Sequence, residues 1–228
     1  MDYTLITANR NYSSWSLRPW LLMTMLDIPF VDRVAPFASL DNHAAFRAFS
    51  PTGQVPVLLD GERTVWESLG IALYLGERHD GVWPTEPAAR AWAMCAATEM
   101  HGGFGALRAE RTMTVGQRVA PHGGSARLAR DVARLGELWS EGLTRFGGPW
   151  LAGAAFGAVD AFFAPVVFRV RTYGLDVGAA GAGWVAWMLR QPAMRAWERQ
   201  ALAETFREVG HEAEVAAVGR VTADHRAV

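Results

Sequence analysis

The pattern of apolar and polar positions changes character about a third of the way along the 228-residue chain. In the first part, short β-rich runs alternate with stretches of helical spacing. Tyr3 to Thr7 (YTLIT) reads as a first strand. A polar segment, Asn9 to Ser14, follows. From Trp15 to Leu26 the apolar residues Leu17, Trp20, Leu21 and Met25 recur at helical intervals. Ser13, Ser14 or Ser16 can cap that helix, and Pro19 is tolerable only in its first turn. Phe30 to Val34 reads as a second strand, and Asn42 to Phe49 as a short helix ended by Ser50-Pro51. Val55 to Leu59 is a third strand, Asp60-Gly61 a hairpin signal, and Arg63 to Trp66 the returning strand. Ser68 is expected to cap a helix running to about Arg78. This β-α-β-α-β-β-α order suits a small mixed sheet with helices on both faces.

His79 to Pro87 carries Asp80-Gly81, Pro84 and Pro87 and reads as a linker. Beyond it no strand is expected. Ala88 to about Thr114, Ser125 to Phe146, Ala158 to Tyr173, Ala182 to Leu189 and Ala193 to about Glu208 carry helical spacing. Tryptophans 92, 139, 150, 184, 187 and 197 gather there, as packing aromatic residues do. Gly210 to Val228 is small and polar and is expected to be loose.

Composition narrows the function classes. Half the residues are apolar, about a fifth are charged, and the formal net charge is −1, an ordinary globular balance. A nucleic-acid binder would carry a basic excess. Cys95 is the single cysteine, so no intramolecular disulfide forms. The polar N-terminus lacks an apolar signal core, and the apolar run Val159 to Phe168 is broken by Asp160 and Pro165. The expectation is a cytoplasmic protein without membrane or nucleic-acid partners and without a metal site. Cys95 is expected to be a buried small apolar residue.

Three motifs then point to one family. Asn11-Tyr-Ser-Ser-Trp-Ser-Leu-Arg-Pro-Trp20 resembles the first loop and helix of serine-type glutathione transferases, particularly the zeta class and related bacterial groups. Ser50-Pro-Thr-Gly-Gln-Val-Pro-Val-Leu58 with Trp66-Glu-Ser68 is similar to that family's glutathione-binding core. Phe156 to Pro165 (FGAVDAFFAP) resembles its core helix in the second domain. The resemblance covers about residues 3 to 205. It implies an α/β thioredoxin-like N-terminal domain over 1–79, a linker over 80–87 and an all-α helical domain over 88–228. It also implies glutathione as co-substrate, a small electrophile as second substrate and a homodimer.

A thiol like that of glutathione has a pKa near 8.5, and its thiolate is the nucleophile. Lowering that pKa by about two units requires roughly 2.7 kcal/mol. One hydrogen bond to a charged group supplies about 1.5–3 kcal/mol, and a helix N-terminus adds about 0.3–1. A hydroxyl at a helix start therefore nearly suffices. By resemblance Ser13 is the first choice and Ser14 the second. Tyr12 is a third, since other classes use a tyrosine hydroxyl. From spacing alone the same serines read as helix caps. The zeta class often has a cysteine where this chain has Trp15, so thiol exchange through a protein cysteine is not expected.

The resemblance further implies a cis bond at Val55-Pro56, with Val55 offering its backbone to the tripeptide as an added strand would. Gln54 is an additional polar contact. Glu67 and Ser68 open a helix whose N-terminus attracts the γ-glutamyl carboxylate, with Glu67 meeting its ammonium. His43 and Arg47 are candidates for the glycine carboxylate. Asp160 is expected to fix a helix start, with Gly157 where the family usually has Ser or Thr. The acceptor pocket should lie between the domains. His101, Phe104, Arg108 and Arg111, at spacings of three, four and three, are expected to share one face. Phe168 and Arg171 would contribute from a second segment, and Tyr12 from the first loop. Transfer to an electrophile, glutathione-dependent cis–trans isomerisation and binding without catalysis remain the competing readings.

Overall fold

The computed structural model describes residues 2–38 and 41–227. Strands β1 (Tyr3–Thr7), β2 (Phe30–Val34), β3 (Val57–Asp60) and β4 (Arg63–Trp66) form one mixed sheet in the order β2-β1-β3-β4. β1 runs parallel to β2, with Tyr3 opposite Phe30, and antiparallel to β3, with Ile6 opposite Val57. Parallel pairing requires a crossover, and helix α1 (Ser14–Met25) provides it. The short helix α2 (His43–Phe46) precedes β3, and α3 (Ser68–Gly76) follows β4. Leu5 and Ile6 at the sheet centre are fully buried. Nearly every residue of α1 is buried, because it packs on the sheet and also on the second domain. An all-round apolar helix is the expected product of burial on several sides.

The second domain is built around α7 (Ala158–Tyr173), in which every residue but Arg171 is buried. Around it lie α4 (Pro87–Gly102), α5 (Gly105–Glu110), α6 (Ala126–Phe146), α8 (Gly178–Arg190) and α9 (Pro192–Ala203). Asp160 acts as the sequence suggests. Its carboxylate accepts the N–H groups of Leu151 at 2.9 Å and Gly157 at 3.0 Å, fixing the start of α7. Gly157 faces the linker: a Cβ there would meet the Val82 carbonyl oxygen at 3.2 Å. A serine would crowd that oxygen, which accounts for glycine at the cap.

Several expectations are corrected. The second domain does contain strands: β5 (Gln117–Pro121) pairs antiparallel with β6 (Gly219–Asp224). The segment expected to be loose forms α10 (Val209–Val218) followed by β6; Val228 lies outside the described residues. Helix α4 stops at Gly102, because Phe104 adopts φ +57 and turns the chain into α5. Cys95 is exposed. The buried stripe of α4 is Ala89, Trp92, Ala93, Ala96, Ala97 and Met100, and Cys95 stands off it on the face shared by Ala91 and Thr98. Among the described residues no helix is long and apolar enough to cross a membrane.

Candidate functional site

A cavity of about 720 Å³ opens between the two domains, within the usual range for small-ligand sites. One side is the first loop and the start of α1: Tyr12, Ser13, Ser14 and Trp15. A second side comes from His43, Gly53, Gln54, Val55, Pro56 and Glu67. The helical domain closes it with Arg108, Thr112, Met113, Arg169, Glu208 and His211. Of the residues singled out from sequence, Tyr12, Ser13, Ser14, Gln54, Val55, Pro56, Glu67, Arg108 and His43 therefore meet at one space.

The first loop is held rigidly. The Glu204 carboxylate accepts the N–H groups of Arg10 at 2.6 Å and Asn11 at 3.2 Å. Trp197 Nε1 donates to the Arg10 carbonyl at 2.9 Å, and Asn11 Oδ1 accepts the Gly116 N–H at 2.9 Å. The buried Arg10 guanidinium pairs with Asp32. At the helix start the two serines differ. Ser13 Oγ donates to Ser16 Oγ at 2.7 Å, and Ser16 Oγ accepts the Ala8 N–H at 3.1 Å. The Ser14 hydroxyl has no hydrogen-bond partner among the described residues. Ser13 is the N-cap by position, yet its side chain makes no cap hydrogen bond. The Tyr12 hydroxyl is turned away to Glu212 Oε1, to which it donates at 2.6 Å, and it accepts from Arg226 Nη1 at 3.1 Å. Burial and the Glu212 carboxylate raise its pKa.

The opposite ledge is shaped by backbone. Val55-Pro56 is cis, as the resemblance implied. Neither the N–H nor the C=O of Val55 pairs with another backbone group among the described residues. Ser50 Oγ accepts the Gln54 N–H at 3.1 Å and tightens the turn before it. Gly53 has φ +68, and a Cβ there would lie 2.5 Å from the His43 ring. Glycine thus permits both the turn and the placement of His43 on the cavity wall.

Glu67, not Ser68, is the N-cap position of α3, with φ +64 and ψ 132. Such a conformation costs a non-glycine residue about 1–3 kcal/mol and is concentrated at functional sites. Ser68 is the first helical residue and does not line the cavity. Its hydroxyl accepts from Arg18 Nη1 at 3.3 Å. The Arg18 guanidinium is buried and lies over the Trp15 ring at 4.1 Å and the Phe162 ring at 4.9 Å. Desolvation holds its pKa well below the usual arginine value, and neighbouring Arg108 and Arg169 lower it further.

The expected acceptor face is dispersed by the break at Phe104. Phe104 is buried against Phe163. Arg111 donates to the carbonyls of Glu110 and Gly123, away from the cavity. Phe168 is fully buried, and Arg171 pairs with Glu198 at 2.8 Å. His101 packs edge-on against Trp15, with Nε2 4.0 Å from Glu67. Burial lowers its pKa, so the imidazole is neutral at pH 7. Arg108 alone of this set lines the cavity, with its guanidinium 4.6 Å from the Trp15 ring. Sequence reading missed Arg169, Met113, Glu208 and His211. Arg169 carries no outward signal, since it sits inside an apolar helical repeat.

A thioredoxin-like sheet domain joined to a helical domain, with a cleft at the first helix start beside a cis Val-Pro ledge, defines the class of fold. Residues 12–78 match the family model for the glutathione S-transferase N-terminal domain, and residues 119–200 match the C-terminal domain. The chain belongs to the glutathione S-transferase family. A 61-residue stretch is 46% identical to a dichloromethane dehalogenase of Methylorubrum extorquens, covering 26% of this chain and 21% of that protein. The chain thus spans about a fifth of the length of that curated relative. A glutathione transferase homolog from Burkholderia gl BGR1, solved with bound glutathione, superposes with a TM-score of 0.67 at 19% identity, covering 88% of this chain and 98% of that one. A theta-class glutathione S-transferase from Xanthomonas axonopodis pv. citri, also with glutathione, gives 0.63 at 23% identity, covering 90% and 99%. These matches do not single out the zeta group.

Proposed function

We propose that the cleft binds glutathione and that a hydroxyl at the start of α1 stabilises its thiolate for attack on a small electrophile. The observation that carries this reading is the unpartnered Ser14 hydroxyl, in the same cavity as the open Val55 backbone. Glutathione lies along Gln54, Val55 and Pro56 as an added strand would, its γ-glutamyl end toward Glu67 and its other end toward His43. Ser14 donates to the sulfur, aided by the dipole of α1. Ser13 is the second donor and must release Ser16 to act. The thiol proton passes to solvent. The sulfur then attacks carbon, the new C–S bond forms, and the leaving group departs with its electron pair. The dehalogenase relative supports displacement of a halide as the type of reaction. A homodimer belongs to the same reading, and sedimentation tests it.

The deciding experiment titrates the ultraviolet absorbance of protein-bound glutathione thiolate. Ser14→Ala should raise the bound pKa by a unit or more, equivalent to about 1.4 kcal/mol, while calorimetric affinity for glutathione is retained. A rise in Ser13→Ala alone would transfer the role to Ser13. Absence of any glutathione binding by the unaltered protein would reject the function.

A further inference from the structure

Arg169 is a buried charge that the transfer step above does not use. It lies in α7 between Phe168 and Val170, and only 4% of it is exposed. Its Nε donates to the Arg111 carbonyl oxygen at 2.7 Å. Its two terminal nitrogens have no hydrogen-bond partner among the described residues, and no carboxylate pairs with it there. Arg169 is among the residues that line the cavity. Burying an unpaired charge is costly, and a helix otherwise as apolar as α7 has no packing need for it.

Arg108 stands on the same wall. Its Nε donates to the Gly103 carbonyl at 3.0 Å, and Nη2 is used by the carbonyls of Met100 and His101. Like Arg169 it forms no ion pair among the described residues. Burial lowers the pKa of both, and burial together with neighbouring Arg108 brings that of Arg169 down to about 10. Both remain charged at neutral pH. Of the carboxylates lining the cavity, Glu208 is held by His211 at 2.7 Å, Asp41 accepts the His43 N–H at 2.9 Å, and Glu67 stands on the opposite ledge. The helical side of the cleft therefore carries two guanidiniums with which no carboxylate forms an ion pair among the described residues, Asp131 acting on Arg108 only at longer range, across from the ledge proposed for glutathione.

We infer that Arg169 and Arg108 form a carboxylate subsite for the second substrate, selecting electrophiles that carry an acid group on the scaffold bearing the leaving group. This rests on the reading of the cleft as a glutathione-transfer site. Two N–H groups of a guanidinium suit a carboxylate in a bidentate pair. Held there, the acceptor would present its reactive carbon toward the first loop and the sulfur.

The probe pair is 4-chloro-3,5-dinitrobenzoate and its methyl ester. In each the glutathione sulfur attacks the ring carbon bearing chlorine, the C–S bond forms, and chloride leaves with the C–Cl electron pair. The unaltered protein should favour the acid in kcat/KM, mainly through KM. Arg169→Gln should lower the acid-to-ester ratio by about 10- to 100-fold, the scale of a lost charged hydrogen-bond pair; Arg169→Lys should recover part of it. An unchanged ratio overturns the subsite. So does an equal fall in glutathione affinity, since the guanidinium would then serve the peptide's own carboxylate. Calorimetric binding of 3,5-dinitrobenzoate and 3,5-dinitrobenzamide to the unaltered protein needs neither a folded variant nor turnover. The benzoate should bind about tenfold tighter, and equal binding overturns the inference. Selective benzoate binding without turnover of either ester or acid would reject the transfer reaction and leave the subsite standing.

Discussion

At the scale of single residues, the site depends on which polar atoms are already engaged. The Tyr12 hydroxyl is committed to Glu212 and Arg226. Tyr12→Phe should therefore cost about 1–2 kcal/mol of stability in urea unfolding and leave the pKa of bound glutathione where it was; a raised thiol pKa would return Tyr12 to the chemistry. Asp160 gives a pH signature. Burial pushes its carboxyl up to about 7, against the lowering by the N–H groups of Leu151 and Gly157. An unfolded aspartic acid ionises near pH 4. Between those values the native state holds more protons, so stability from this group falls as pH rises. Asp160→Asn removes that slope. The stability gap between variant and parent should shift in the variant's favour by ~1 kcal/mol or more between pH 5 and pH 8. A gap that does not move would show that the carboxyl ionises normally. The places of the serines, Val55, Pro56 and Glu67 on the cavity wall, and the anchoring by Asp160, were legible because each sits in a motif with a local reason. Arg169 was not, because helical periodicity marks a residue as inward-facing but does not say whether it meets protein or an empty cleft.

At the scale of elements, the ledge before Val55-Pro56 is a turn held by one glycine. Gly53→Ala would face both the left-handed φ and the His43 ring. The penalty should be about 1–2 kcal/mol, and calorimetry should show weaker glutathione binding as His43 is pushed from the wall. Unchanged binding would mean that His43 does not meet the ligand. The elements that sequence described well were those with local signals: the β1-α1-β2 crossover, the β3-β4 hairpin, and the long helices α6 and α7. Two features escaped. The left-handed turn at Phe104 ends α4 within a stretch that keeps helical spacing, and it sends Arg111 away from the face it was expected to share. Strands β5 and β6 are five and six residues long and pair across about a hundred positions. Neither QRVAP nor GRVTAD signals a strand until its partner is known.

At the scale of the whole molecule, α10 and β6 complete the cleft. Glu208 and His211 line it, and His211 stacks on Tyr12 at 4.9 Å and on Phe37 at 5.1 Å. Buried Arg226 ties Glu212 and Asp224 to the Tyr12 hydroxyl. A chain stopped at Glu208 would lose this clasp and the pairing of β5. The expected loss of ~2–3 kcal/mol corresponds to about 5–10 °C in melting temperature, with faster amide exchange at residues 10–12. Melting and exchange like the parent's would show that the clasp carries no load.

Because Tyr12 and Glu212 stand 200 positions apart, the cleft has a history as well as a shape. During synthesis the sheet domain leaves the ribosome first, but its opening loop is fixed only when Gly116, Trp197 and Glu204 have followed. The arginines of α5 and α7 arrive before that last clamp, and the roof of α10 and β6 after it. A nascent chain would thus hold the proposed peptide site only after its helical domain has followed.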